Sequence, residues 1–394
     1  MPKSVTQESK TLVGRVHYDI REIEQATWDA CSQSYRYNPF VDYRFLRALE
    51  ESKSACPDTG WAPFHVSLES EGETVALMPL YLKSHSRGEY VFDGSWANAW
   101  HQAGGRYYPK LQSSVPFTPA TGPRLLARPG QYQAEWQRQL LEVATQLAQK
   151  TNISSLHITF MPEDEWKLAG SCGLLQRLDT QFHWYNKDYR DFEQFQNELS
   201  SKKRKNIRRE RREACQNGVE IEWVSGSDLK EHHWDAFFDF YIDTTYRKWG
   251  SNYLTREFFS LINEAMPEQI LLILAKRENR YVAGAINFIG EDTLFGRNWG
   301  CIEHHPFLHF EICYYQAIDY AIINKLQCVE AGAQGSHKIA RGYLARETYS
   351  AHWLANESFK EAVADFLQRE QRYVKSDIEY VRTHSPFKTV LERT

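Results

Sequence analysis

Fifteen residues near the C-terminal end, "VEAGAQGSHKIARGY" (329–343), gather side chains able to move protons and to hold negative charge. An apolar stretch ending in Glu330 reads as a strand that opens into a glycine-rich turn. Gly332 and Gly335 there let backbone approach a ligand closely. Gln334, His337, Lys338, Arg341 and Tyr343 follow within one short segment. Glu330 or His337 has the chemistry of a general base. Gln334, Lys338 or backbone N–H groups have the chemistry that steadies a developing oxyanion. The alternative is a loop whose polar groups only satisfy its own backbone.

A second stretch, "FGRNWGCIEHHPFLHFE" (295–311), offers Arg297 and Asn298 on a strand, then Glu303 and His309. Adjacent His304 and His305 cannot share one helix face, and no third ligand stands at a usual spacing, so no metal site is expected. In the first half, "GGRYYPKLQ" and "PFTPATGPRLL" supply Arg106, Tyr107, Tyr108, Lys110, Thr118 and Arg124. Proline and glycine fix the shape of such loops, while Arg, Lys and Tyr suit an anionic or sugar-like ligand. A rigid, aromatic-packed loop where two units meet is the competing reading.

Charge is distributed unevenly. The chain has 394 residues, 47 Lys plus Arg against 51 Asp plus Glu, and a formal net charge of -4. Yet eight Lys or Arg fall between Ser201 and Glu213 in "SKKRKNIRRERRE". On a helix, Lys202, Lys205, Arg209 and Arg212 form one stripe at steps of three or four. Ile207, Ala214 and Cys215 give the opposite side a narrow apolar edge. Such a stripe is either a solvated face or a surface for phosphates. No DNA-binding motif accompanies it, so base reading is not expected. Serine hydrolase, P-loop and zincin signatures are missing. The seven cysteines form no C-x-x-C and no zinc spacing, which suggests reduced thiols in a cytosol. The N-terminal residues lack the apolar stretch of a signal peptide, and no run is long enough to span a bilayer.

The elements that must position these groups repeat along the chain. "FVDYRFLRALEE" (40–51) and "YLTREFFSLINE" (253–264) both read as amphipathic helices capped by Asp42 or Thr255. Downstream, "HVSLESEGETVALMPLYL" (65–82) and "LLILAKRENRYVAGAINFI" (271–289) each read as a β-hairpin turning at Glu71-Gly72 or Glu278-Asn279. A further strand is expected in each half, "EYVFDGSW" and "TLFGRNWG", then a helix and a last strand. The constant offset identifies a duplicated α+β unit. Residues 1–190 and 191–394 form the two expected units, each a mixed, mainly antiparallel sheet flanked by helices. No Pro/Gly/Ser-rich linker separates them, so they are expected to pack together.

That doubled order resembles the tandem acyltransferase fold of Fem-type aminoacyl transferases, built from two GNAT-like units. The Lys/Arg-rich helix running into "NGV" and a strand (205–223) matches the opening of their second unit. "YLKSHSRGEYVFDGSWANAWHQAGGRYYPKLQSSVPFTPATGPRLL" (81–126) and "GAQGSHKIARGY" (332–343) resemble a family of bacterial FemAB-like predicted N-acyltransferases. The resemblance implies transfer of an acyl or aminoacyl group to an amine, with acyl-CoA or aminoacyl-tRNA as cosubstrate and no tightly bound cofactor. The family supplies no settled catalytic residue; the residue chemistry itself points to a catalytic set of Glu330, Gln334, His337 and Lys338. Arg106, Tyr107, Tyr108, Lys110, Arg297, Asn298, Arg341 and Tyr343 would contact substrate. Lys202, Lys205, Arg209 and Arg212 would meet donor phosphates, those of acyl-CoA or of a tRNA. The acceptor would be a cell-wall precursor or a small amine metabolite in the cytoplasm. A degenerate transferase that only binds such a precursor or RNA is the alternative. Leucyl/phenylalanyl-tRNA–protein transferases are similar around 330–343, but the acid-to-Gln gap is four positions here instead of two, so roles do not carry over. The GNAT pyrophosphate motif Q/R-x-x-G-x-G/A is absent from both halves, as it is from Fem-type units.

Overall fold

The computed structural model describes residues 12–249, 252–332, 335–383 and 385–388. In the first half the strands are β1 (Leu12–His17), β2 (Trp61–Pro63), β3 (His65–Ser70), β4 (Glu73–Met78), β5 (Tyr81–Lys83), β6 (Lys110–Ser113), β7 (Leu126–Ala127), β8 (Ser155–Met161) and β9 (Leu175–Tyr185). The second half adds β10 (Glu220–Ser225), β11 (Ile270–Arg277), β12 (Arg280–Ile289), β13 (Thr293–Cys301), β14 (Cys328–Glu330) and β15 (Leu344–Leu354). Strands β1-β3-β4-β7 form one sheet. The other runs β10-β11-β12-β13-β14-β9-β15-β8-β6-β5-β2. The architecture is α+β, with helices flanking a large mixed sheet and two GNAT-like units in tandem.

Both expected hairpins form, and their turns show why. Glu71 and Gly72, like Glu278 and Asn279, have positive φ at both central positions. Two such residues give the tight turn whose twist matches paired strands. Both expected helices form too, over Tyr43–Glu51 and Arg256–Ala265. The Asp42 carboxylate accepts from Arg44 N at 2.9 Å, and the Thr255 hydroxyl from Phe258 N at 3.3 Å. These two helices bury their aromatic faces against one another. Phe45 meets Phe258 edge-on at 5.6 Å between centroids and Phe288 at 5.3 Å. One core therefore runs through both halves. Each such aromatic removes about 150–250 Å² from water, so this contact fixes how the halves sit.

Two expectations need correction. "EYVFDGSW" is no strand: residues 89–93 run irregularly, and a helix starts at Gly94 and continues to Gln102. The aromatic run suggested β structure, but Asp93-Gly94 is a turn signal that begins a helix instead. The strand that follows the hairpin in the first half is β5, which continues from β4 through Pro79 and crosses into the large sheet. The helix expected after β13 is irregular as well. It begins at Leu308, widens to a π-turn over Glu311–Tyr315, and becomes α-helical over Gln316–Ile323.

The halves also exchange strands. β9 lies between β14 and β15, and β15 lies between β9 and β8. Among the described residues no helix is long and apolar enough to cross a membrane.

Candidate functional site

Strands β13 and β14 run parallel for three residues, Thr293–Phe295 against Cys328–Glu330. There β14 stops, while β13 continues to Cys301. The register between β12 and β13 slips at the same place. Ala285 faces Trp299 and Asn287 faces Gly296, so Ile286 stands opposite both Arg297 and Asn298. An extra residue of this kind frees backbone from the ladder and re-aims it. Beyond Glu330 the chain turns at Gly332 with φ 76°, a left-handed conformation that glycine adopts without penalty. A slot of about 80 Å³ opens behind the bulge, bounded by Trp299, His309, Tyr314 and Ala331.

In front of the bulge lies a larger cleft of about 670 Å³. His85, Ser86, Arg87, Tyr90, Tyr108 and Pro119 line it from the first half, and Tyr253, Arg297, Asn298 and Gly332 from the second. Aromatic walls with a few converging polar groups are what a small-molecule site requires.

Glu330 stands where the strands part, its side chain only 12% exposed. Burial pushes its carboxyl up to about 8, against the opposing pull of Arg297 and the Thr121 backbone N–H. His183 lies 3.9 Å away, and burial holds its imidazole neutral, down to about 3. Lys338, 2% exposed, donates from Nζ to the Gly332 carbonyl at 2.8 Å. Burial lowers its ammonium to about 8. Two groups poised near neutrality, an acid and an amine, thus flank the same turn. Arg297 donates from Nη2 to the Phe117 carbonyl at 2.6 Å, a bond between the halves.

Other expected site residues fall elsewhere. His337 is exposed and hydrogen-bonds Tyr314 Oη through Nε2 at 2.8 Å. Gln334 lies outside the described residues. Arg341 donates to the His337 carbonyl at 2.7 Å and to Glu210 at 2.8 Å, with its guanidinium 3.4 Å over Phe310. It ties the 336–341 turn to the basic helix. Tyr343 is fully buried against Tyr314. In the first half, Tyr108 bonds Ser86 Oγ at 2.7 Å and lines both the large cleft and a neighbouring one of about 560 Å³. Gly104, Gly105 and Arg106 line only the latter. Tyr107 donates to Asp93 at 2.7 Å, and Lys110, 0% exposed, donates to Asp93 and to Glu89 at 2.7 Å.

That last contact exposes a group that sequence reading missed. Lys83, Glu89, Asp93 and Lys110 form a buried charge cluster beside the cleft, continued by Tyr107, His157 and His352. Burial draws Lys83 down to about 7 and Glu89 up to about 7, while Lys110, His157 and Ser86 hold the Asp93 carboxyl well below the usual range against its burial. Its members are scattered from 83 to 352, so no local pattern announces them. Asp93 itself sat inside the misread strand.

The basic run is a helix over Ser201–Ala214. Lys202, Lys205, Arg209 and Arg212 are exposed, while Ile207 and Ala214 are buried. Arg211 points inward and pairs with Glu311 at 3.0 Å and Asp319 at 2.6 Å. Among the described residues no group of His, Cys, Asp and Glu is arranged to hold a metal. His305 instead bonds Glu303, which also takes Arg277 and Arg280.

Known structures share the fold. FemX superposes with a TM-score of 0.53 at 12% identity, over 89% of this chain and 100% of its own. The C-terminal domain of a putative lysylphosphatidylglycerol synthetase from Agrobacterium fabrum gives 0.53 at 8% identity, over 86% and 94%. L-PGS from Bacillus licheniformis gives 0.50 at 10%, over 84% and 98%. At such identities the likeness concerns the fold. No curated protein matches the sequence. A profile of the FemAB-like family, described by peptidoglycan biosynthesis/recognition, matches residues 19–389. Spanning nearly the whole chain, that match settles its membership: the protein belongs to the FemAB-like family.

Proposed function

We propose that the chain is an N-acyl or aminoacyl transferase, with 1–190 as the acceptor-side unit and 191–394 as the donor-side unit. The observation that carries this reading is the parting of β13 from β14 at a buried carboxyl, beside a bulge that frees the backbone of Arg297 and Asn298. An activated acyl group, from acyl-CoA or aminoacyl-tRNA, occupies the slot. The amine acceptor, a cell-wall precursor or small amine, lies in the 670 Å³ cleft.

The amine attacks the acyl carbonyl directly. The carbonyl electrons move to oxygen, which the freed backbone N–H groups of the bulge stabilise. Glu330 takes a proton from the attacking nitrogen, and collapse of the adduct breaks the bond to the carrier's sulfur or ribose oxygen. Lys338 returns a proton to that leaving group. Glu330 suits the base role better than His337, because it lies at the parting of the strands while His337 faces Tyr314. Cys313 lines the slot and Cys328 faces Glu330, but direct attack needs no covalent intermediate on either. The exposed stripe of Lys202, Lys205, Arg209 and Arg212 is available to carrier phosphates. Arg341 links this helix through Glu210 to the turn that holds Lys338.

The test is a mass-spectrometric screen of acyl-CoA and charged tRNA as donors against amine acceptors, followed by Glu330→Gln. Full activity in folded Glu330→Gln removes the mechanism. Because the family's description names recognition beside biosynthesis, ligand retention without turnover on any donor would support a binding module instead.

A further inference from the structure

One wall of the transfer site belongs to the other half of the chain. Residues 117–121, just after β6, lie against β13, β14 and β9. Phe117 O accepts Arg297 Nη2 at 2.6 Å, and Pro119 O accepts Gln181 Nε2 at 2.7 Å. The Thr121 N–H faces the Glu330 carboxyl, and Pro119 lines the cleft.

The segment is held from behind by one side chain. Arg124, 0% exposed, donates from Nε to Thr159 O at 3.1 Å and from Nη1 to Gly122 O at 2.8 Å and Pro123 O at 3.1 Å. Its Nη2 donates to Ala120 O at 2.9 Å. Glu165 accepts the backbone N–H groups of Arg124 and Leu125 at 2.9 and 3.3 Å, closing the loop's far end. The guanidinium is thus spent on main-chain carbonyls. Its planar fork supplies a fixed backbone path.

We infer that segment 117–121, set by Arg124, is the positioning wall of the transfer site: it fixes Arg297 at the β13 bulge and supplies a main-chain donor to Glu330. Arg124 is therefore a positioning residue and touches no substrate. The geometry stands without the proposed reaction; its effect on rate rests on Glu330 acting there as base. The charged and titratable groups that also face Glu330 are Arg297, Asp292, His183, Tyr185 and Cys328. A shift read at Thr121 must therefore be compared with Glu330→Gln.

The experiment follows the Thr121 amide by NMR across pH in the full-length protein. Its proton shift is expected to titrate with a midpoint near about 8 and to lie flat in Glu330→Gln. A Thr121 amide that does not titrate in the wild-type chain overturns the proposal, and this measurement needs no variant to fold. In Thr121→Pro, which lacks the N–H, the Glu330 carboxyl followed by carbon NMR is expected to rise by about one unit. Arg124→Lys should move it the same way by less, and lower kcat rather than raise KM for the amine. An unchanged carboxyl titration in folded Thr121→Pro also overturns the wall. A shifted titration with unaltered turnover keeps the wall and removes Glu330 from proton transfer, so the two ideas fail separately.

Discussion

The two halves share a three-residue parallel junction, and only one of them is open. In the first half β6 pairs with β8 over Leu111–Ser113 and Leu156–Ile158. In the second half β13 pairs with β14 over Thr293–Phe295 and Cys328–Glu330. Past the first junction the chain folds back along β8. Gly122 N donates to Phe160 O at 3.0 Å, and Arg124 fills the space. Past the second, β14 ends and a glycine turn leaves the slot clear. The two junctions thus share their parallel pairing, and only the second stays open. The loop that fills the first is the proposed wall of the other.

The sharpest way to break this comparison is to remove a buried carboxyl from each junction. Glu330→Gln should cost about 10²–10⁴ in rate with modest change in stability. Glu165→Gln should lower the urea midpoint and leave turnover of the remaining folded protein intact. Equal effects on rate would erase the distinction. Next in size is Arg124→Met, expected to destabilise by about 3–5 kcal/mol, because main-chain carbonyls lose their donors in a dry interior. Asn298→Ala in the open junction should cost about 1 kcal/mol or less in the same denaturation assay.

The pH response distinguishes the junctions further. Activity should peak near pH 8, rising as Glu330 loses its proton and falling as Lys338 loses the one it gives the leaving group. The folded carboxyl keeps its proton between the ordinary value of 4.5 and about 8 while the unfolded one has released it, so stability falls as pH rises through that window. Glu330→Gln should flatten the fall, as read from urea midpoints at acid, neutral and alkaline pH. The smallest folding effect belongs to the basic stripe. Replacing Lys202, Lys205, Arg209 and Arg212 together should shift stability by about 0.5 kcal/mol or less per site. Any tRNA binding should weaken and lose much of its salt dependence. Arg211→Ala, one residue from that stripe, should instead unpair Glu311 and cost about 3–5 kcal/mol.

Much of the fold was legible because its signals are local. Asp42 and Thr255 cap helices, Glu71-Gly72 and Glu278-Asn279 turn hairpins, and the repeat ties them together. The strand ending at Glu330 and the β13 stretch were legible for the same reason. What stayed hidden depends on long-range placement. Lys110 reads like a ligand-binding lysine until Glu89 and Asp93 are seen around it. Arg124 reads like an anion contact until its carbonyl partners are seen. Arg211 looks the same as Arg212 in the sequence, and only the packing of residues 308–323 turns one inward. Strand exchange leaves no local trace at all: the final strands expected in the two halves are β8 and β14, and β9 and β15, which make the exchange, went unread.

That exchange bears on how the protein is made. β9 ends at Tyr185 and its neighbours β14 and β15 begin at Cys328 and Leu344. At ~5–20 residues per second, a ribosome needs on the order of 10–30 s to deliver β15 after β9. During that interval β8 lacks its β15 partner and β9 lacks both of its own. Unpaired edges of this kind invite pairing with other chains. The nascent first half is therefore the state in which this protein is most exposed to aggregation, and its need for a chaperone should end when Leu354 leaves the ribosome.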